Sequence, residues 1–415
     1  MKEIERLVEN RVVQSLEAFP VVYIAGPRQS GKTTLVKHIA ATEHKAAYFT
    51  FDDLQLRMSA QSDPDGFLRK LKGPVVLDEV QMVPELFRPL KILVDENRSL
   101  ADAGRGQFLL TGSASVMALP ALSDALVGRM ALHQLYPFSV KEIHRTNKPS
   151  FIDSIFSNKL VIEKVNNNDY MEIMLKASFP ELLYLNKELI RYEWCNGYIN
   201  TILQRDVRSL MEIEKVEAIP DMLRLLSIRT GSLLNESALS REIGLNHITV
   251  KKYRLLLENL FLTYEIAAWS VNLGKRLIKS PKVYSNDLNI LSYFLNINLD
   301  KLATQNPILF GRVIENFVVI ELIKQLTFSK IHARLYHYRT ASGNEVDFIL
   351  EGQLQEVVGI EVKSKTKVNM NDFRQLRCLK EELGERFQRG VVLYLGEEVL
   401  PFGDGMWAIP IAALW

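Results

Sequence analysis

The chain has 415 residues, of which 47% are hydrophobic and 24% charged, with a formal net charge of +2. That balance excludes a disordered chain, and the small net charge gives no global pull toward nucleic acid, so a basic surface would have to come from local clustering. No apolar run approaches the ~18 residues of a spanning helix, so no membrane partner is expected, and the length predicts two or three domains.

The opening segment, MKEIERLVENRVVQSLEAF, is charged and amphipathic and lacks the apolar core of a signal peptide. The two cysteines, Cys195 and Cys378, lie far apart without metal-ligand spacing, which predicts reduced structural thiols in a cytoplasmic protein. After the apolar run VVYIA comes GPRQSGKTTL, in which Gly26, Pro27, Arg28, Gln29, Ser30, Gly31, Lys32 and Thr33 fit G-x-x-x-x-G-K-[ST] without a mismatch. Glycines let such a loop curl its N–H groups around phosphates. Lys32 supplies a charge beside the β- and γ-phosphates, the Thr33 hydroxyl is a ligand for Mg²⁺, and the helix opening at Thr33 and Thr34 offers its positive end to the same anion. ATP and Mg²⁺ are therefore the expected cofactors.

YFTFDD, from Tyr48 to Asp53, reads as a second buried strand ending in two acids. PVVLDEVQ places Asp78 and Glu79 after an apolar run, as a buried parallel strand requires. Asp78 is the expected partner of Mg²⁺, and Glu79 the group that polarises an attacking water. QFLLTGSAS ends in small polar residues, and Ser113, just past the strand tip, either senses the γ-phosphate or the attacking water or belongs to a plain turn. Arg129, between two apolar segments, is a candidate for completing a neighbour's ATP site or a surface arginine, and Arg28 has the same two readings.

The set GPRQSGKTTL, YFTFDD, LDEVQ, LLTGSAS and LVGRM-x-LHQLYPFSVKEI is similar to a family of prokaryotic AAA+-like ATPases joined to a C-terminal region catalogued as of unknown function. The resemblance covers nearly the whole chain. It implies an α/β fold: an N-terminal P-loop AAA+-like parallel sheet with helices on both faces, and a ring or other homo-oligomer.

Polar, turn-rich stretches after Ser139 place an ATPase domain at 1–150 and a helical connecting region at 151–235. KASFPELLYL resembles the start of the family's C-terminal region, with Ala177 and Ser178 where that family has two glycines. The QRDV run also resembles it; there Arg205 and Asp206 read as a solvated ion pair or as a subunit contact. Residues 236–285 read as a winged helix. Leu239, Ile243 and Leu245 lie on one side of a first helix, Gly244 turns the chain, and Val250, Tyr253 and Leu257 face inward from a second. Lys251, Lys252 and Arg254 on that helix, with Lys275, Arg276, Lys279 and Lys282 in the wing, form the footprint expected for DNA phosphates.

Within residues 286–415, GRVIENFVVIELIKQL, from Gly311 to Leu326, is an expected amphipathic helix carrying Glu315. LYHYRT, NEVDFIL and IEVKS read as strands, with Asp347 in the second, and Glu361 and Lys363 on one face of the third. The order resembles the PD-(D/E)XK restriction-endonuclease-like superfamily. It implies a possible second Mg²⁺ site on Asp347 and Glu361, with Glu315 as a further acid, Lys363 activating water and Gln375 positioning substrate. The expected function is an ATP-hydrolysing machine on duplex or branched DNA, with an ATP-gated DNA nuclease as the runner-up and a nucleotide-dependent switch for a protein partner as the third reading.

Overall fold

The computed structural model describes residues 4–98, 104–115, 126–146, 148–160, 162, 170–207, 215–272, 274, 276, 279–340 and 342–415. The chain divides into two compact units, residues 1–138 with 259–261, and residues 139–258 with 262–415.

The first unit is built on a five-stranded sheet: β1 (Val21–Ala25), β2 (Ala47–Thr50), β3 (Val75–Asp78), β4 (Phe108–Gly112) and β5 (Met130–Gln134). The order is β2-β3-β4-β1-β5 and every pairing is parallel. Strands β1, β3 and β4 are buried at every position, which is why they read as unbroken apolar runs. Val22, Ile24, Val76 and Leu109 pack on one face against Val12 and Leu16 of helix Glu9–Ala18 and Leu35, Val36 and Ile39 of helix Lys32–Ala41. Tyr23, Leu77 and Leu110, pointing the other way, are equally buried. Asp53 is an N-cap rather than a site acid, accepting bonds from the N–H groups of Gln55 (2.8 Å) and Leu56 (3.1 Å) at the start of helix Leu54–Ser62.

The second unit opens with short helices and a longer one, Glu188–Thr201, that runs into a π-helical turn, Ile202–Asp206. In that turn Arg205 is exposed but Asp206 is buried, so the pair is not the solvated one expected. Helices Glu236–Ile243 and His247–Asn259 follow, joined through Gly244 at φ 71°, a left-handed value that glycine adopts freely. Leu239, Val250, Tyr253 and Leu257 are buried between elements, as their spacing predicts. A small antiparallel sheet, β6 (Ser232–Leu233), β7 (Thr263–Ile266) and β8 (Lys282–Ser285), runs in the order β6-β8-β7.

The rest of this unit is a six-stranded mixed sheet: β9 (Arg334–Arg339), β10 (Glu345–Glu351), β11 (Val357–Lys363), β12 (Phe387–Tyr394), β13 (Leu400–Pro401) and β14 (Met406–Pro410), in the order β13-β14-β12-β11-β10-β9. β9, β10 and β11 form an antiparallel meander, and β11, β12 and β14 run parallel. Helix Pro307–Leu326 was expected to be amphipathic but is enclosed, with Asn316, Glu321 and Gln325 fully buried beside its apolar residues. It tolerates this because each has a partner: Glu321 accepts from the Val140 N–H (3.0 Å) and the Lys324 ammonium (2.9 Å), and Gln325 donates to the Leu414 carbonyl (2.8 Å).

Helix Arg374–Leu383 packs against the sheet where Gly359 of β11 sits beside Gly390 of β12. A Cβ at Gly359 would lie 2.7 Å from Leu376 Cδ2 and 3.1 Å from Leu379 Cδ2. Gly359→Val should therefore push this helix off the sheet and cost about 1–3 kcal/mol as overpacking. A lower denaturant midpoint at unchanged slope is the expected result.

Candidate functional site

The phosphate loop is held open by its own backbone and by one distant arginine. Gly31 sits at φ 94° as the N-cap of helix Lys32–Ala41, and no side chain caps that helix, so its first N–H groups face the loop. Gly26 is pressed against β5's exit: a Cβ there would fall 2.2 Å from the Leu135 carbonyl oxygen. Arg6 donates to the carbonyls of Ser30 (2.7 Å) and Tyr136 (2.6 Å), and its guanidinium lies 4.7 Å from the centre of the Phe138 ring. Sequence reasoning missed Arg6 because its partners lie far along the chain and no local pattern marks it.

The Lys32 ammonium is buried and donates to the carbonyls of Gly26 and Pro27, both at 2.9 Å. Pro27 and Ser30 are buried, Arg28 half-buried, Gln29 and Thr34 exposed. Ser30 Oγ is buried with no hydrogen-bond partner among the described residues. An uncapped helix start, an inward ammonium and an orphaned hydroxyl make a cradle whose chemistry fits a polyphosphate.

Asp78 ends β3 inside a ring of hydroxyls. Its Oδ2 accepts from Thr33 Oγ1 (2.8 Å) and Tyr48 Oη (2.7 Å), and its Oδ1 accepts from Thr111 Oγ1. Tyr48 and Thr111 were not anticipated; both stand in strands flanking β3, a neighbourhood that sequence order does not reveal. Thr33 and Asp78 are the residues that would hold Mg²⁺: a hydroxyl and a carboxylate, both hard oxygen donors, already in contact. Glu79 adopts φ 60°, unusual for a residue with a side chain, and its N–H donates to Thr111 Oγ1 (3.1 Å). The Gln81 amide donates to the Glu79 carboxylate and to Ser113 Oγ (3.0 Å), so Ser113 is linked to Glu79 through a glutamine that sequence reasoning passed over. The Arg129 guanidinium is paired with Asp95 through two bonds, 2.6 and 2.8 Å.

A second polar cluster lies in the other unit. Glu315, Asp347, Glu361 and Lys363 come together as their spacing predicts, joined by three residues that were not foreseen at this place: Lys282, Tyr284 and Glu345. Lys282 Nζ lies 3.1 Å from Glu315 Oε1, 2.8 Å from Glu345 Oε1 and 3.9 Å from Asp347 Oδ1. Tyr284 Oη donates to Glu315 Oε1 (2.7 Å), the Val362 N–H to Asp347 Oδ2 (2.8 Å), and Lys363 Nζ to Glu361 Oε2 (2.6 Å). Burial, then the charge of Asp347, pushes Glu315 up to about 7 against the pull of Lys282; the same two causes push Glu361 up to about 8 despite Lys363. Burial alone would lower Lys282, but the charges of Glu315, Asp347 and Glu345 outweigh it and raise its pKa.

These residues do not fit the second Mg²⁺ site expected on Asp347 and Glu361. Each has an oxygen taken by a protein donor, and among the described residues no three potential ligands are placed to hold a metal ion. Gln375 is on helix Arg374–Leu383, its Oε1 buried without a partner, and makes no bond to the cluster.

The expected DNA footprint is largely spent inside the fold. Arg254 is buried and paired with Glu236 (2.9 Å) and Glu265. Arg276 makes two bonds to Glu351, 2.6 and 2.8 Å, with the rings of Trp269 and Tyr336 each 5.0 Å from its guanidinium. Lys279 donates to the Arg339 carbonyl (3.0 Å), and Lys282 is buried in the cluster above. Lys275 lies outside the described residues. Lys251 and Lys252 remain exposed.

The phosphate loop, the parallel sheet and the Thr33–Asp78 contact define the first unit as a P-loop ATPase domain. Residues 18–144 match the AAA domain family; residues 167–301 and 310–414 match two domains of unknown function, DUF8612 and DUF4143. The chain is similar to an uncharacterized protein of Mycobacterium tuberculosis, 28% identical over 401 residues, covering 96% of this chain and 82% of that one. An uncharacterized protein of Haemophilus influenzae is 21% identical over 393 residues, 89% of each. Among solved structures, a Walker-type ATPase of Pyrococcus abyssi aligns at TM-score 0.45 and 17% identity, over 71% of this chain and 96% of that one. No helix among the described residues is long and apolar enough to cross a membrane.

Lys32→Ala should weaken ATP binding roughly 10- to 100-fold, since a charge-assisted hydrogen bond contributes about 1.5–3 kcal/mol; titration of a fluorescent ATP analogue reads this. The C-terminal cluster makes a separate, pH-dependent prediction. With the Glu361 carboxyl at about 8 in the fold, against an ordinary 4.5, the folded chain holds a proton that the unfolded chain has lost. Its contribution to stability is complete below pH 4.5 and is lost as pH rises through 8. Glu361→Gln has no such proton, so its stability relative to the parent should climb across that window in urea melts.

Proposed function

We propose that the protein hydrolyses ATP and uses the cycle to act on DNA as a homo-oligomer. The observation that carries the ATPase half is the Thr33 Oγ1 to Asp78 Oδ2 contact of 2.8 Å beside an inward-facing Lys32. Lys32 exchanges the Gly26 and Pro27 carbonyls for the β- and γ-phosphates. Thr33 and Asp78 would hold Mg²⁺, whose charge would offset that of the phosphates. Glu79, positioned by Thr111 and Gln81, polarises the attacking water. The AAA domain match supports self-association; on this reading Arg129 serves a neighbouring site only after releasing Asp95.

The DNA half rests on residues 236–285 acting as a winged helix, with Lys251 and Lys252 on the open face of its second helix. Residues 286–415 are read as a PD-(D/E)XK-like fold kept for binding. Cleavage is left out of the proposal because ammonium groups already serve its carboxylates. One observation favours a second reading, a nucleotide-gated switch for a protein partner. Ile248, 79% exposed, and Leu255 share the helix face of Lys251 and Lys252, at spacings of three and four residues.

Steady-state hydrolysis separates these readings. Glu79→Gln should bind ATP normally and stop turnover; undiminished hydrolysis would remove Glu79 from its role. Duplex or branched DNA should stimulate the parent several-fold, with stimulation falling steeply as salt rises and absent in Lys251→Glu/Lys252→Glu. Turnover indifferent to DNA in the parent would give the protein-directed switch.

A further inference from the structure

The strongest unexplained feature is a buried lysine surrounded by acids. Lys282 is 2% exposed, at the start of β8, a strand of the small sheet. Alternation along β8 puts Lys282 and Tyr284 on one face, and both reach Glu315 Oε1 of helix Pro307–Leu326, at 3.1 and 2.7 Å. The same ammonium lies 2.8 Å from Glu345 and 3.9 Å from Asp347, both on β10. Three carboxylates from two elements thus converge on one cation delivered by a third.

We propose that the Lys282 ammonium is the resident cation of this carboxylate centre, and that the centre is a metal-free latch fastening the small sheet to the C-terminal sheet and not a hydrolytic site. Ammonium is compact and carries three donors, and its oxygen distances here, 2.8 and 3.1 Å, are those of strong hydrogen bonds. A magnesium ion needs near-octahedral oxygens at about 2.0–2.1 Å and could not share the position. One oxygen each of Asp347 and Glu361 is committed to a protein donor as well. Asp347 Oδ2 takes the Val362 N–H at 2.8 Å and Glu361 Oε2 takes Lys363 at 2.6 Å, so neither acid offers a free pair of oxygens toward the other. Gly231, which enters β6 at φ 73°, leaves a Cβ-sized space 3.4 Å from Glu315 Oε1, so the small sheet closes over the carboxylate from this side also. Removing Lys282 would leave Glu315, Glu345 and Asp347 facing one another without a cation, which is the arrangement that recruits one.

The inference stands apart from the ATPase reading, and its test silences the ATP site. Mn²⁺ binding to the full-length chain is followed by electron paramagnetic resonance in an Asp78→Asn background without nucleotide. No Mn²⁺ site tighter than about 1 mM is expected there, whereas adding Lys282→Gln should create one site, lost again with Asp347→Asn. Mn²⁺ should also raise the thermal midpoint of the Lys282→Gln variant by several degrees and leave its parent unmoved, because a ligand that binds only the folded state stabilises it. The proposal is overturned if the Lys282-containing chain already binds one Mn²⁺ that Asp347→Asn abolishes. It is overturned equally if folded Lys282→Gln, checked by circular dichroism, gains no site. Should Lys282→Gln fail to fold, the parent titration still decides, since a tight site there removes the need for a resident ammonium and its absence, together with a loss of folding on removing Lys282, is the expected pair.

Discussion

The buried carboxylate of Asp78 is the constraint around which the nucleotide unit is arranged. It is 2% exposed and accepts hydroxyl protons from three separate elements: Thr33 at the head of the helix after β1, Tyr48 of β2 and Thr111 of β4. A buried carboxylate needs donors in place of water, and here three hydroxyls supply them. Because β3 lies between β2 and β4, the three bonds tie the phosphate loop to the two strands beside its partner acid.

Much of this was legible because the motif residues are local. Gly26 through Thr34 are contiguous, and the apolar runs of β1, β3 and β4 announce strands covered on both faces. Asp347, Glu361 and Lys363 were legible too, since alternation along a strand fixes which side chains share a face. The same rule would have found Glu345, two residues before Asp347. Tyr48, Arg6 and Lys282 were not legible, for one shared reason. Each acts on residues brought near by strand order or loop closure, and those long-range neighbours are not written in any local period.

The basic residues of the middle region show the converse error. A count of lysines and arginines treats each as available, but a buried guanidinium needs its own acid. Arg254 finds Glu236 and Glu265, and Arg276 finds Glu351, all within the second unit. Each pairing fastens an element in place. Among the described residues of the expected footprint, Lys251 and Lys252 stay exposed on a helix face they share with Ile248 and Leu255.

Glu79 is held in an unusual backbone conformation beside Asp78. Its left-handed φ of 60° costs energy that only surrounding bonds can maintain, and Thr111 supplies one while also binding Asp78. The Glu79 backbone N–H and the Asp78 carboxylate thus share a single hydroxyl. The carboxylate of Glu79 is occupied by the Gln81 amide, whose other contact is Ser113. On the reading proposed above, a γ-phosphate that draws Gln81 or Ser113 toward itself loosens the same amide that holds Glu79. Freeing the base and recognising the third phosphate then become one event, and a diphosphate, lacking that group, leaves the amide where it is.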